Sequence, residues 1–307
     1  MRLVVLDGYT TNPGDLSWTD LEKLGPLEIY PRSTRDEAIW RIGDAQGIFV
    51  NAVGVDREMM VGAKNLEYIG VLSTGYNSID MEAARERGIA VTNVPDYSTE
   101  AVAQHTLALL LELSNQVGAH NKTIQDGKWY DIPDDCFCVK PLTLLAGKSI
   151  GIVGSGKIGS RVGIIAKALG MEVIIFSKDP QGARQADVLS LHCPLTHENR
   201  EMINKEFIGG MKDGALLINT ARGGLINEND LAQALKNGKL GGAALDVLAV
   251  EPPIKENPSP MIGLDNCIIT PHHAWMPLET RKKLIEISVG NLSAYLGKQI
   301  VNRVDII

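Results

Sequence analysis

The 307-residue chain has only four cysteines, Cys136, Cys138, Cys193 and Cys267. The one-residue gap between the first two fits no zinc-ligand pair, so reduced cytosolic thiols and no metal site are expected. Long apolar runs are lacking too. The longest, around Ala101 to Leu113, is broken by Gln104, His105 and Glu112 and is too short to cross a bilayer. From Met1-Arg2 the chain enters Leu3-Val4-Val5-Leu6 and then Asp7-Gly8, too brief an apolar region for a secretory signal. A cytoplasmic protein with no membrane partner is the expectation. There is no basic excess: 30 Lys and Arg stand against 37 Asp and Glu, a net charge of -7, and the basic residues are scattered. Nucleic acid is thereby excluded as the main partner. Low-complexity tracts and internal repeats are absent as well, and 44% apolar with 22% charged residues is an ordinary globular mixture, which excludes global disorder.

What is present is a long alternation of short β-rich runs and helical patterns, which argues for an α/β architecture with mostly parallel sheets. At roughly 150 residues per domain the length suits two domains. Strands are predicted at Leu3–Asp7, Ile48–Asn51, Tyr68–Leu72 and Ala90–Asn93, with a capped helix from Asp80 to Arg87 stopped by Gly88. From Ser98 to Val117, Val102, Leu109, Leu110 and Leu113 recur at helical spacing, a long helix suited to bridging domains. A looser stretch from Gly118 to Pro141 follows. A second series begins at Lys148, with strands predicted at Glu172–Phe176, Val188–His192, Ala215–Asn219, Ala243–Val247 and Cys267–Thr270. Asn227 caps a helix that reaches Leu235, with Gly238 past its end. The last helix, Thr280 to Leu296, can pack back on the first unit, so 1–98 with 277–307 is expected as one domain and 99–276 as the other.

The strand Ser149–Val153 runs straight into Gly154-Ser155-Gly156-Lys157-Ile158-Gly159 and a helical pattern of Val162, Ile165, Ala166 and Leu169. This is G-x-G-x-x-G in its strand–turn–helix setting. Gly154 permits the tight turn, Gly156 lets a pyrophosphate approach the backbone, Gly159 lets helix and strand pack closely, and the helix N-terminus attracts the phosphates. A carboxylate at the end of the second strand binds the ribose hydroxyls of NAD(H). Here that place holds Ser177, then Lys178. A hydroxyl beside a cation suits the extra phosphate of NADP(H) better than an acid would, although a loop shift could bring Asp179 to a ribose. Both cofactors stay open, with the balance toward NADP(H).

Three strand ends deliver polar candidates: Arg222, Glu251 and His272. In parallel sheets ligands bind beyond the carboxyl ends of the strands, so these residues are expected beside a nicotinamide held by the glycine turn. Hydride transfer to a carbonyl needs a proton donor and a cation that holds and polarises the substrate. His272 and Arg222 fit those roles. Glu251, hydrogen-bonded to His272, would orient the ring and favour its protonated form.

Asn219-Thr220-Ala221-Arg222-Gly223-Gly224, Ala244-Leu245-Asp246-Val247 with Glu251-Pro252-Pro253, Thr270-Pro271-His272, and Ser190-Leu191-His192-Cys193-Pro194-Leu195-Thr196 resemble the signature regions of the D-isomer-specific 2-hydroxyacid dehydrogenases, over nearly the whole chain. The resemblance implies a Rossmann-type dinucleotide-binding domain and a smaller flavodoxin-like substrate domain with a cleft between them. It also implies Arg222 as substrate anchor, Glu251 as partner of the histidine, His272 rather than His273 as acid/base, and Cys193, Thr220, Ala221 and Asp246 lining the cofactor pocket. Adjacent side chains point apart, so only one histidine should meet Glu251. Ser73-Thr74-Gly75-Tyr76-Asn77, Asn93-Val94-Pro95-Asp96-Tyr97-Ser98 and His273-Ala274-Trp275 are most similar to the glycerate dehydrogenases, or hydroxypyruvate reductases, within that family. Ser73, Thr74 and Gly75 follow a strand and could offer backbone N–H groups to a substrate carboxylate, facing Arg222 across the cleft.

The expected activity is reduction of a small 2-keto acid, hydroxypyruvate or glyoxylate, to the D-2-hydroxy acid. Its expected alternatives are a non-catalytic NAD(H)-sensing protein on the same scaffold and a formate dehydrogenase relative. Chemistry needs the Arg222, Glu251 and His272 set and sensing does not, while formate dehydrogenases pair the histidine with glutamine. The resemblance also implies a homodimer, with Ser98–Val117 and its neighbouring loops as the contact. One departure stands out: only eleven residues lie between Phe176 and Val188, near the minimum for a parallel crossover, where the resemblance implies another strand and a short helix.

Overall fold

The computed structural model describes residues 1–306. The chain divides into two compact units, Met1–Ser98 with Met276–Ile307, and Thr99–Trp275. Met276, expected in the second, belongs to the first, as does the helix Leu278–Leu296 that follows it.

In the first unit β1 (Leu3–Val5), β2 (Leu27–Ile29), β3 (Gly47–Val50), β4 (Tyr68–Val71) and β5 (Ala90–Thr92) form a parallel sheet in the order β2-β1-β3-β4-β5. That is the strand order of flavodoxin-like folds. The runs Leu3-Val4-Val5 and Ile48-Phe49-Val50 are fully buried, as strands covered on both faces must be, and are therefore continuously apolar. β2 is absent from the sequence reading for the converse reason: it is a three-residue edge strand, half-buried at Leu27 and exposed at Glu28 and Ile29, with no apolar run to read.

The second unit holds β6 (Ser149–Val153), β7 (Glu172–Ile175), β8 (Val188–Leu191), β9 (Ala215–Asn219), β10 (Leu240–Leu245) and β11 (Cys267–Ile269), all parallel, in the order β11-β10-β9-β8-β6-β7. The chain leaves β6 for β7 on one side and later returns to β8 on the other, so a topological switch lies between β6 and β8. The helix Thr99–Asn115, read from the sequence as a bridge, packs within this unit. Its Ala103, Leu107 and Leu110 share a core with Ile150 and Ile152 of β6 and Val162 and Ala166 of the helix Lys157–Ala168. The stretch after it is not loose throughout: Val117–Gln125 is helical, but it buries no residue and so shows no apolar period.

Between β7 and β8 there is a short helix, Pro180–Arg184, and no further strand, so β7 is the edge of the sheet. Asp179 caps the helix by accepting from Gly182 N (2.8 Å), and Pro180 starts it. So short a connection must lie directly on the sheet. Gly151 allows this, because a Cβ there would sit 2.3 Å from Ala183 O.

Asp187 then anchors β8 to β6, accepting from Ser149 N (2.9 Å), Ser149 Oγ (3.0 Å) and Lys212 Nζ (2.7 Å). Burial works against its charge, but Lys212 and Ser149 prevail and hold the carboxyl down at about 2. A depressed folded pKa stabilises above the unfolded value of roughly 3.9, and the gain is lost as pH falls toward the folded one. Asp187→Asn is therefore expected to lower the melting temperature at neutral pH, with the gap to wild type closing as pH falls from about 4 to 2. Thermal melts across that range would show it, and a gap independent of pH would refute the ionic role.

Candidate active site

All six strands of the second sheet end at one edge, and the loops that leave this edge carry the sequence-predicted cofactor and catalytic residues, whereas Ser73, Thr74 and Gly75 follow β4 of the first sheet. After β6 the glycine turn begins. Gly154 lies at φ +97 and a Cβ on it would meet Cys193 N at 2.6 Å, so the turn is pressed against the loop leaving β8. A Cβ on Gly159 would sit 2.0 Å from Gly154 O, whereas one on Gly156 would point into open space. The twelve-residue helix Lys157–Ala168 begins there with Gly156 as its cap, no side chain accepting from its first N–H groups and no acidic residue in its first turn. This is an uncapped, positively polarised helix end beneath an open cradle, and it fits a dinucleotide pyrophosphate. Lys157 is exposed and Ile158 packs against the core beneath.

On one side of the cradle, Ser177, Lys178 and Asp179 form an exposed turn at the end of β7. Asp179 already uses one oxygen as a helix cap. Beside the cradle, burial holds the Cys193 thiol above its ordinary value and pushes His192 down to about 4. Both are neutral where a polyanion would lie.

After β9, the side chain of Asn219 accepts from Ala221 N (3.0 Å) and donates to Arg222 O (2.9 Å), closing the turn that presents Arg222. Arg222 is half-buried. It donates through Nη1 to Ala221 O (2.6 Å), and among the described residues it has no acidic partner. Thr220 turns inward: Thr106 Oγ1 donates to Val102 O, so the Thr220 hydroxyl donates to Thr106 Oγ1 (2.9 Å), and its side chain is used within the fold.

Glu251 and His272 come from the loops after β10 and β11. Glu251 Oε1 accepts from Leu248 N (2.7 Å), and Oε2 accepts from His272 Nδ1 (2.7 Å). A carboxylate can only accept, so Nδ1 carries the hydrogen, and among the described residues Nε2 has no hydrogen-bond partner. The neighbouring His273 instead stands edge-on to His105, with centroids 4.8 Å apart.

Asp246, expected to line the cofactor pocket, is 1% exposed. Its oxygens accept from Thr270 Oγ1 (2.6 Å), His273 N (3.0 Å) and Ala274 N (3.0 Å). Burial pulls its carboxyl up, yet His105, Thr270 and these two N–H groups hold it below the usual range.

Two residues that sequence reasoning passed over support Glu251. Glu228 accepts from Ala249 N (2.7 Å) and from the Ser259 hydroxyl, pinning the loop before Glu251. A Cβ on Gly223 would meet Leu248 O at 1.9 Å, so the Arg222 turn packs directly on that same loop. Gly223→Ala is expected to cost about 1–3 kcal/mol of stability by overpacking. It should also lower kcat more than a surface substitution of equal cost, because Leu248 N is what holds Glu251. A variant with wild-type kcat at full occupancy would separate the two loops. The signal for Glu228 is legible only as a first-turn acid, with nothing local to say what it holds.

Residues 107–274 match the family model described as D-isomer specific 2-hydroxyacid dehydrogenase, NAD binding domain. The chain belongs to this family. It is 45% identical to a hydroxypyruvate reductase of Blautia hydrogenotrophica, over 99% of this chain and 100% of that one. Among solved structures it is similar to D-lactate dehydrogenase from Aquifex aeolicus complexed with NAD and lactic acid, at 28% identity with a TM-score of 0.85 over 99% of both chains. It is also similar to the NADPH-dependent glyoxylate/hydroxypyruvate reductase of Sinorhizobium meliloti in complex with NADP and malonate, at 26% identity with a TM-score of 0.82, over 99% of this chain and 96% of that one. The chain is thus a nicotinamide-dependent hydroxyacid oxidoreductase. No helix among its described residues is long and apolar enough to cross a membrane.

Proposed function

We propose that the protein reduces hydroxypyruvate, and with it glyoxylate, to the D-2-hydroxy acid, with His272 as proton donor, Glu251 as its partner and Arg222 as substrate anchor. The observation that carries this is the 2.7 Å bond from His272 to Glu251, beyond the strand ends of a sheet whose glycine turn is open for a pyrophosphate. The bound nicotinamide supplies the hydride for reduction and takes it back in the reverse direction. His272 Nε2 would give a proton to the substrate's carbonyl oxygen, with Glu251 orienting the ring through Nδ1. Arg222 holds the substrate carboxylate and polarises the carbonyl. In the first unit, Ser73, Thr74 and Gly75 are the proposed substrate-binding turn: among the described residues the N–H groups of Thr74 and Gly75 have no protein acceptor, while Asn93 Nδ2 donates to Thr74 O (2.8 Å) and the Ser73 hydroxyl to Gly75 O, which shapes the turn.

Gly154, Gly156, Lys157, Ile158, Gly159, Cys193 and the Thr220-Ala221 backbone form the cofactor side, with Asp246 acting from behind it. NADP(H) is the preferred cofactor: Ser177 and Lys178 are exposed at the end of β7 and Asp179 is engaged in its helix cap. The protein works in the cytoplasm as a homodimer. Val117, Ile124, Trp129, Tyr130, Leu142 and Leu144 are all exposed within one stretch of the second unit, apolar side chains that a second copy of the chain could cover.

Initial rates followed by nicotinamide absorbance, with hydroxypyruvate, glyoxylate, pyruvate and formate, each with NADH and NADPH, test the reading. Fastest turnover of hydroxypyruvate with NADPH is expected. Preference for pyruvate or formate would overturn the substrate, and preference for NADH the cofactor. Light scattering should give twice the 33.2 kDa of one chain, and a single-chain mass would refute the dimer.

A further inference from the structure

We infer that His105 is a positioning residue for the reaction: through Thr270 and Asp246 it holds the Thr270–Ala274 loop in the shape that turns the His272 ring to Glu251. This rests on the reading of His272 as the acid/base group.

His272 occupies φ +50, the left-handed region, which a non-glycine residue keeps only when its surroundings fix it. Its own N–H donates to both Asp246 O (2.8 Å) and Thr270 O (2.9 Å). The next two N–H groups, of His273 and Ala274, donate to the two oxygens of the Asp246 carboxylate. Asp246 thus grips three successive amides, and the shape of the loop depends on where that carboxylate sits.

The position of the carboxylate is set from the helix Thr99–Asn115. Thr270 Oγ1 has one hydrogen, and it goes to Asp246 Oδ1, which can only accept. The contact between His105 Nε2 and Thr270 Oγ1 (3.0 Å) must therefore run from the imidazole N–H to the hydroxyl. The same Nε2 lies 3.5 Å from Asp246 Oδ1. The relay is directional: His105 to Thr270 to Asp246, and from Asp246 to the amides that follow His272. The His273 ring stands edge-on to His105 and fills the remaining side. His105, Asp246 and His273 place ligand atoms within 4.8 Å of one another, but His105 Nε2 and both Asp246 oxygens are already joined by hydrogen bonds. The cluster is a clamp.

His105→Phe keeps the ring and its edge contact and removes the donor, whereas His105→Gln restores an N–H at similar reach. Loss of one such bond, about 1–1.5 kcal/mol, predicts roughly a tenfold fall in kcat for the Phe variant, with the dissociation constant for NADPH within about twofold of wild type. Amide hydrogen exchange at residues 272–274 should quicken in the same variant. The Gln variant should recover most of both. Wild-type kcat and exchange in the Phe variant would overturn the inference. So would equal losses in Phe and Gln that track a fall in melting temperature, since His105 would then be only a packing residue. His272→Gln, assayed alongside, keeps the two levels apart: undiminished turnover there removes the reading of His272 itself, while its collapse beside an unaffected His105→Phe removes only the role given to His105.

Discussion

His272→Gln is expected to lower turnover by about a hundred- to ten-thousand-fold, the usual worth of a positioned general acid, while the dissociation constant for the reduced cofactor stays within about twofold. Glutamine is close in length to histidine and can still donate toward Glu251, so the loop after β11 has reason to keep its shape. What it lacks is a nitrogen that can release a proton and take it back. The geometry makes this substitution discriminating, because Nδ1 is committed to Glu251 and only Nε2 is left to face a substrate. The glycine turn is built from a different loop, after β6, so cofactor binding measured by fluorescence titration should report an intact crevice. Undiminished turnover would show that the proton comes from elsewhere. Parallel losses of turnover and cofactor binding would show that the loop, rather than the ring, had been damaged.

Much of this site was legible in the sequence because its residues stand just past apolar strands. The runs at 149–153 and 215–219 are largely buried and that at 267–269 is apolar and half-buried, and Gly154, Arg222 and His272 follow within three residues of each strand end. Other parts were less accessible. The helix Arg35–Ile42 escaped notice although Thr34 and Glu37 form a capping box, a signature available from spacing alone. Nothing local could have revealed Asp246 as a clamp: its partners are 24, 27 and 28 residues away, and His105, 141 residues away, looked only like an interruption of an apolar helix. The short crossover shows the same limit. The missing strand was visible as a shortage of residues, but that Gly151 lets a helix lie flat on β6 depends on a contact between Ala183 and a strand thirty-two positions earlier.

Arg222→Leu should reduce kcat/KM for the keto acid by about 3–5 kcal/mol, or roughly a hundred- to several-thousand-fold, and Arg222→Lys should recover only part of that. The guanidinium is half-buried, tethered by Ala221 O on one nitrogen, and has no acidic partner among the described residues. A partly desolvated cation with most of its donors unused is costly unless an anion completes it, and the substrate carboxylate is the anion the chemistry supplies. Lysine keeps the charge but replaces a planar fork with a single strongly hydrated point, so it can attract the carboxylate without orienting the carbonyl toward His272. The expected split is therefore informative: KM rises in both variants, and kcat falls in both, because a substrate held loosely seldom reaches the geometry in which proton and hydride arrive together. A substrate without a carboxylate should be indifferent to the substitution. If both variants keep wild-type KM while kcat alone falls, Arg222 acts on the transition state without anchoring the acid; if neither constant moves, the anchor is another residue.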